Sequence, residues 1–175
     1  LNGKSLFIDF DSTFVKVETI DEIARITLQD NPDKDQIVKK ISDITNQAMS
    51  GKMDFPTALE QRLQILSITN KTINTVTNEI KKLVSDSFYE HKDLIKNNAS
   101  NIWIISGGFT EVIAPIVKSY GINSNHILAN QFTFDSDKVS GCDKDNFLFQ
   151  DKGKIKAIKS VETSNPRIMI EDGYT

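Results

Sequence analysis

A chain of 175 residues, 38% hydrophobic and 26% charged, is long enough for one globular core carrying a small inserted domain. Lys and Arg number 21 against 24 Asp and Glu, a net charge of -3 with no basic block, which argues against a nucleic-acid partner. A lone Cys142, with His91 and His126 lacking spaced partners, supports neither a disulfide framework nor a Cys/His zinc site, and the longest uncharged apolar run, residues 112–117, is far too short to cross a membrane. That cysteine usage fits a reducing compartment, and no secretory signal is visible, so a cytoplasmic location is expected.

Residues 4–10 and 101–105 read as short strands whose apolar character is continuous rather than alternating, the pattern of a parallel sheet covered on both faces. Between them the pattern is helical. Thr19 and Glu22 form a capping box for residues 20–28, a second helix runs over 32–50 and stops at Gly51, and Asp54 caps a third with Phe55, Leu59, Leu63 and Leu66 along one stripe. Residues 70–84 and 87–96 supply further helix. Thr110 caps a helix to Tyr120 that Pro115 is expected to kink. Residues 127–134 and 138–141 read as an antiparallel pair turning at Asp135-Ser136-Asp137, residues 152–161 as a basic helix, and 167–170 as a third buried strand. Strands alternating with helices predict an α/β, doubly wound parallel sheet of Rossmann type.

In such sheets ligands bind beyond the carboxyl ends of the strands, where this sequence collects its chemistry. The first strand ends in Asp9-Phe10-Asp11-Ser12-Thr13; two carboxylates two residues apart on a strand share a face and repel, which a divalent cation relieves. As turn formers, with Ser12 as a cap, the same residues need no ligand at all. Ser106-Gly107-Gly108 follows the second strand, and backbone N–H groups of such a turn can cradle phosphate, although the tripeptide is also an ordinary turn. Glu171-Asp172-Gly173 follows the third. Asp9, Asp11 and Asp172 together suit Mg²⁺, which takes one or two carboxylates plus phosphate and water. Lys152, beside Gly153 at a helix start, either neutralises a phosphate or is one of several solvated lysines with Lys154, Lys156 and Lys159.

Taken in order, Asp9-x-Asp11-Ser12-Thr13, Ser106-Gly107-Gly108-Phe109, Lys152-Gly153 and Asp172-Gly173 resemble the motifs of the haloacid dehalogenase superfamily. Within it, Val-Glu-Thr-Ile-Asp-Glu-Ile-Ala (17–24), Met49-x-Gly-Lys-Met-Asp-Phe55 and Ala129-Asn130 resemble the phosphoserine phosphatases, so the resemblance covers nearly the whole chain. It implies a core of residues 1–14 and 94–175 with a helical-bundle cap of residues 15–93. It also implies Asp9 as nucleophile, Asp11 as general acid and base, Ser106, Gly107 and Lys152 on the phosphate, and Glu18, Met49, Phe55 and Arg62 on the substrate. Arg62 interrupts the apolar stripe of the third helix, where a guanidinium can grip a carboxylate or simply snorkel; Glu18 can receive an ammonium group or simply favour a helix N-terminus.

The reaction so implied is Mg²⁺-dependent hydrolysis of O-phospho-L-serine through an aspartyl-phosphate, the last step of serine biosynthesis. The partner is a small phosphorylated amino acid, with neither nucleic acid nor membrane, and the protein a monomer or homodimer. Another small-metabolite phosphatase or phosphotransferase, or a non-catalytic phosphoamino-acid-binding domain, are the competing readings. Two departures from the motifs stand out: Glu171 replaces a glycine before Asp172, and the chain stops at Thr175 where the family places a further metal-site acid at 176, as expected of a fragment lacking the closing strand and helix of its core.

Overall fold

A computed structural model describes residues 3–172. Four strands, β1 (Ser5–Asp9), β2 (Ile102–Phe109), β3 (Ile127–Asn130) and β6 (Arg167–Ile170), form an all-parallel sheet in the order β3-β2-β1-β6. Two short strands, β4 (Phe132–Asp135) and β5 (Lys138–Cys142), make a separate antiparallel hairpin.

The central strands are apolar on both sides because both faces are covered. Ile8, Ile102 and Ile104 pack with Val112, Ile113 and Ile116 of α7 (Thr110–Val117), while Phe7 and Ile105 pack with Leu148 and Ala157, the latter on α8 (Gly153–Ser160). Ninety-two residues separate β1 from β2, and they carry helices α1 (Thr19–Thr27), α2 (Lys34–Met49), α3 (Phe55–Ile65), α4 (Asn70–Ile80), α5 (Asp86–Glu90) and α6 (Lys92–Asn97). Their apolar stripes meet through Ile23, Leu28, Ile41, Leu59, Leu63 and Val76, all buried. Asp54 caps α3 as the sequence predicts, accepting the Thr57 N–H at 2.8 Å, and Gly51 takes the left-handed φ of +71° just after α2.

Several elements differ from expectation, each for a local reason. Residues 127–134 are not one strand. Ile127–Asn130 leaves the hairpin to pair in parallel with β2, a non-local partner that alternation in sequence does not reveal. The Thr19–Glu22 capping box does not form, because the Thr19 side chain is turned to Asp11 and Glu18 occupies the cap position. Thr110 makes no cap either; Phe109 precedes α7. Pro115 lies inside that helix, whose α-type bonding gives way at Val117 to a 3₁₀ turn over Lys118–Tyr120. Expected helices over 70–84 and 87–96 are interrupted, by a 3₁₀ turn at Lys81–Leu83 and by His91. The strand β6 is a half-exposed edge rather than a buried strand. Among the described residues no helix is long and apolar enough to cross a membrane.

Candidate active site

Asp9 is the last residue of β1 and is buried at 5% exposure. One carboxylate oxygen accepts the Phe10 N–H at 2.8 Å and the other pairs with Lys154 Nζ at 2.5 Å. Burial pushes its pKa up, Lys154 opposes that shift, and the Asp172 charge adds to it.

The chain then makes a wide π-type turn over Phe10–Phe14, closed by the Val15 N–H on the Phe10 carbonyl at 3.0 Å and anchored by the buried rings of Phe10 and Phe14. Asp11 therefore does not share a strand face with Asp9. Asp11 itself is extended, at φ -66° and ψ 138°, and lines the same cleft as Asp9; the left-handed Ser12, at φ +54°, turns the chain after it. Asp11 Oδ1 accepts both the N–H and the hydroxyl of Thr19, the buried first residue of α1. Burial, countered by those hydrogen bonds and reinforced by the Glu18 and Asp9 charges, pushes the Asp11 pKa up to about 7. Ser12 Oγ donates to Glu18 Oε1 at 2.6 Å and fixes Glu18 at the rim.

Ser106, Gly107 and Gly108 lie inside β2, which runs on to Phe109 with a register shift, rather than in a turn after it. Ser106 is fully buried and its Oγ accepts the Gly108 N–H at 2.9 Å. Gly108 approaches closely: a Cβ would sit 3.1 Å from Ser106 Oγ and 3.2 Å from Asp11 Oδ2, so those side chains would have to give by a few tenths of an ångström. Asn130, also fully buried, donates to the Gly107 carbonyl at 2.9 Å and to Leu148 O at 3.3 Å. It ties the Gly107 strand to the segment before α8, a role that sequence similarity flagged only as a shared Ala-Asn pair.

Lys152 takes a left-handed φ of +57° at the start of α8 and lines the cleft, but the lysine on Asp9 is Lys154, which the sequence reading left among the solvated charges. Gly153 is the cause. Its Cα lies so close to the segment before the helix that a Cβ would fall 2.0 Å from the Phe147 carbonyl oxygen, and this contact sets the rotation of α8. Glu171 and Asp172 line the cleft from the end of β6, so Glu171 faces the site; Gly173 is outside the described residues.

From the inserted helices, α3 contributes Phe55, Leu59 and Arg62 to the same cleft of about 840 Å³, with Ile20 from α1 and Glu18 just before it. Arg62 is buried at 9% exposure and spends one donor, Nε, on the Ala58 carbonyl at 3.2 Å. Burial lowers its pKa, while Asp21 and Glu18 act the other way. Met49 is not brought to this cleft: at 76% exposure it lines a neighbouring pocket with Met53 and Asp54.

No family model matches the chain. It is 28% identical over 172 residues to the phosphoserine phosphatase of Drosophila melanogaster, covering 95% of this chain and 61% of that protein, and 26% identical over 178 residues to that of Bos taurus, covering 99% and 76%. The structure of a phosphoserine phosphohydrolase-like protein from Francisella tularensis superposes with a TM-score of 0.78 at 30% identity, covering 98% of this chain and 79% of that one. The chain belongs to the phosphoserine phosphatase family. The parallel sheet with its helices matches the fold of haloacid dehalogenase-type phosphoserine phosphatases; a substrate-bound phosphoserine phosphatase, 24% identical with a TM-score of 0.70, shares it. The chain spans about three fifths of the fly family member and three quarters of the bovine one.

The family setting raises the question of a metal. Among the described residues no three His, Cys, Asp or Glu side chains form a ready-made cage. A hard divalent cation needs none: Asp9 and Asp172, close enough for the Asp172 charge to raise the Asp9 pKa, would supply one or two carboxylates, with phosphate and water as the rest. The donor set fits a hard cation.

Proposed function

We propose that the protein hydrolyses O-phospho-L-serine, or a closely similar phosphorylated amino acid, through a phosphoryl group carried on Asp9. The observation that carries this reading is Asp9 itself: a buried carboxylate at a strand end, held by Lys154, with a second carboxyl of raised pKa on the adjoining turn. In the first step an Asp9 oxygen attacks phosphorus and the bond to the seryl oxygen breaks, while Asp11, protonated, gives that oxygen its proton. In the second, water attacks the phosphorus of the aspartyl-phosphate, Asp11 takes the water's proton, and Asp9 is released as carboxylate. A group titrating near 7 is matched to both roles, and such proton transfer is typically worth ~10²- to 10⁴-fold. Asp9, Asp172 and the Asp11 backbone are the groups proposed to hold Mg²⁺, which when bound offsets phosphate charge. Lys152 and Lys154 add positive charge at the same end of the cleft, and Ser106 and Gly107 border the phosphate.

The cap supplies the opposite recognition. Arg62 lines the cleft with Nε on the Ala58 carbonyl, and its terminal nitrogens are the donors proposed for a carboxylate; Glu18, steadied by Ser12, lines the same space and is proposed to take an ammonium group. Opposed charges about a phosphate site suit a zwitterionic phosphomonoester. Asp9 and Asp11 favour catalysis over mere binding of a phosphoamino acid, and we place the reaction in a cytoplasmic setting of serine synthesis. Phosphate release from a panel of phosphorylated metabolites, with and without Mg²⁺, tests this: phosphoserine should lead the panel, and release that is equal for monoesters lacking the amino-acid group would overturn the assignment.

A further inference from the structure

Helix α3 runs along the core, and its two ends are held unequally. Beyond its C-terminal end, the Val139 N–H donates to the Ile68 carbonyl at 2.9 Å, the Asn70 N–H to the Asp137 carbonyl at 3.1 Å, and Thr69 bridges Lys138. These are backbone bonds to the β4–β5 hairpin, beside the buried Leu66 and Ile68. Before its N-terminal end, the Lys52 and Met53 N–H groups bond the Gln47 carbonyl of α2 at 2.9 and 3.2 Å, and the contacts of α3 to the core on this side use side chains. Lys144 pairs with Glu60 at the surface, and Asp151 Oδ1 accepts the Phe55 N–H at 3.4 Å.

A count of first-turn donors shows what Asp151 does. The first N–H groups of a helix have no partner within it. In α3, Pro56 has no N–H, Asp54 takes that of Thr57 at 2.8 Å, and Ala58 already bonds the Asp54 carbonyl at 3.1 Å. The N–H left over is that of Phe55, and its acceptor comes from the core, one residue before Lys152. Phe55 in turn lies over the phosphate-side strand, where a Cβ on Gly107 would come 3.4 Å from its ring. Asp151 and Phe55 also line both the cleft and the neighbouring pocket of about 620 Å³, so their contact partitions the two.

We propose that Asp151 is a positioning residue, a latch from the core that completes the cap of α3 and holds Phe55 closed over Gly107, with the hairpin end of α3 as the fixed pivot. At 1.5 Å per residue, Phe55 lies about 10 Å farther from that pivot than Arg62, so opening swings the Phe55 end about twice as far as Arg62. The cleft then joins the neighbouring pocket and product leaves by that side. The latch rests on the phosphatase reading only for its kinetic consequence.

The test compares Asp151→Ala with Asp151→Asn, which keeps an acceptor oxygen but loses the charge. An exposed carboxylate at a helix N-terminus is a weak tie, so Asp151→Ala should speed amide exchange at Phe55 about two- to fivefold and raise KM for phosphoserine by a similar factor, with kcat unchanged or higher. Asp151→Asn should fall between it and the wild type on both readouts. Unchanged exchange at Phe55 in Asp151→Ala overturns the latch, and so does equally faster exchange throughout α3, which marks a merely structural role. If the wild type releases no phosphate, the phosphatase reading fails while amide exchange still decides the latch.

Discussion

Replacing Gly153 by Ala sets two effects of opposite sign against each other. Helix propensity alone favours Ala over Gly by up to about 1 kcal/mol, less at a first helical residue, so an argument from propensity predicts a more stable protein. Packing predicts the reverse. The added Cβ would meet the Phe147 carbonyl oxygen at 2.0 Å, its carbon at 2.8 Å and Leu148 Cα at 2.9 Å, all backbone atoms that no rotamer change can move aside. To reach even a 3.0 Å approach, α8 and the preceding turn must part by at least about 1 Å, against the Asn146 and Asn130 hydrogen bonds that pin that turn. Overpacking of this kind costs about 1–3 kcal/mol or more, and backbone on both sides puts it at the upper end. A net loss of about 2–3 kcal/mol corresponds to a fall in Tm of about 5–10 °C for a domain of this size. Because Lys154 follows one residue later, the same shift should draw its ammonium away from Asp9 and lower kcat. Thermal melts of the wild type and Gly153→Ala read the stability directly. An unchanged or higher Tm would refute the claim that this contact sets α8.

Further predictions follow from the groups around the cleft. Arg62→Ala should raise KM for phosphoserine about 10- to 100-fold, the range of a lost charge-assisted bond, and leave a monoester without a carboxylate much less affected; equal losses would make Arg62 structural. The folded-state pKa of Asp11, about 7, lies above its unfolded value, so its contribution to stability is fully present at acid pH and is lost as pH rises through 7. In metal-free protein, Asp11→Asn should therefore gain Tm relative to wild type between pH 5 and pH 8, and a constant difference across that range would contradict the raised pKa. Asn130→Asp should lower Tm, because the amide that donates to Gly107 and Leu148 is exchanged for a buried acid that cannot donate when ionised; a pH-independent, unchanged melt would show those bonds to be unimportant.

What the sequence made legible was whatever depended on local pattern. The apolar strand ending at Asp9, the Asp54 cap of α3 and the inward side of Arg62 follow from period and residue type, and the structure places all three accordingly. The misplaced elements depended on distant partners. Ile127–Asn130 looked like the first half of a hairpin because its neighbour in the sheet, β2, lies more than twenty residues upstream. Asp11 lies beyond the end of β1 in a π-type turn whose left-handed Ser12 is a conformation that a serine does not announce. Lys154 rather than Lys152 met Asp9 because the Gly153 contact fixes the rotation of α8, and spacing between lysines does not encode that rotation. Met49 missed the cleft because the packing of α2 against α3, not its motif, decides where the end of α2 points.

The central claim is that Asp9 carries the phosphoryl group. Its most direct test is peptide mass spectrometry of acid-quenched protein after brief exposure to phosphoserine and Mg²⁺. The account predicts a phosphoryl adduct on Asp9 that disappears with phosphate release and never forms in Asp9→Asn. Phosphate released with no adduct, or an adduct on another residue that survives Asp9→Asn, would contradict it.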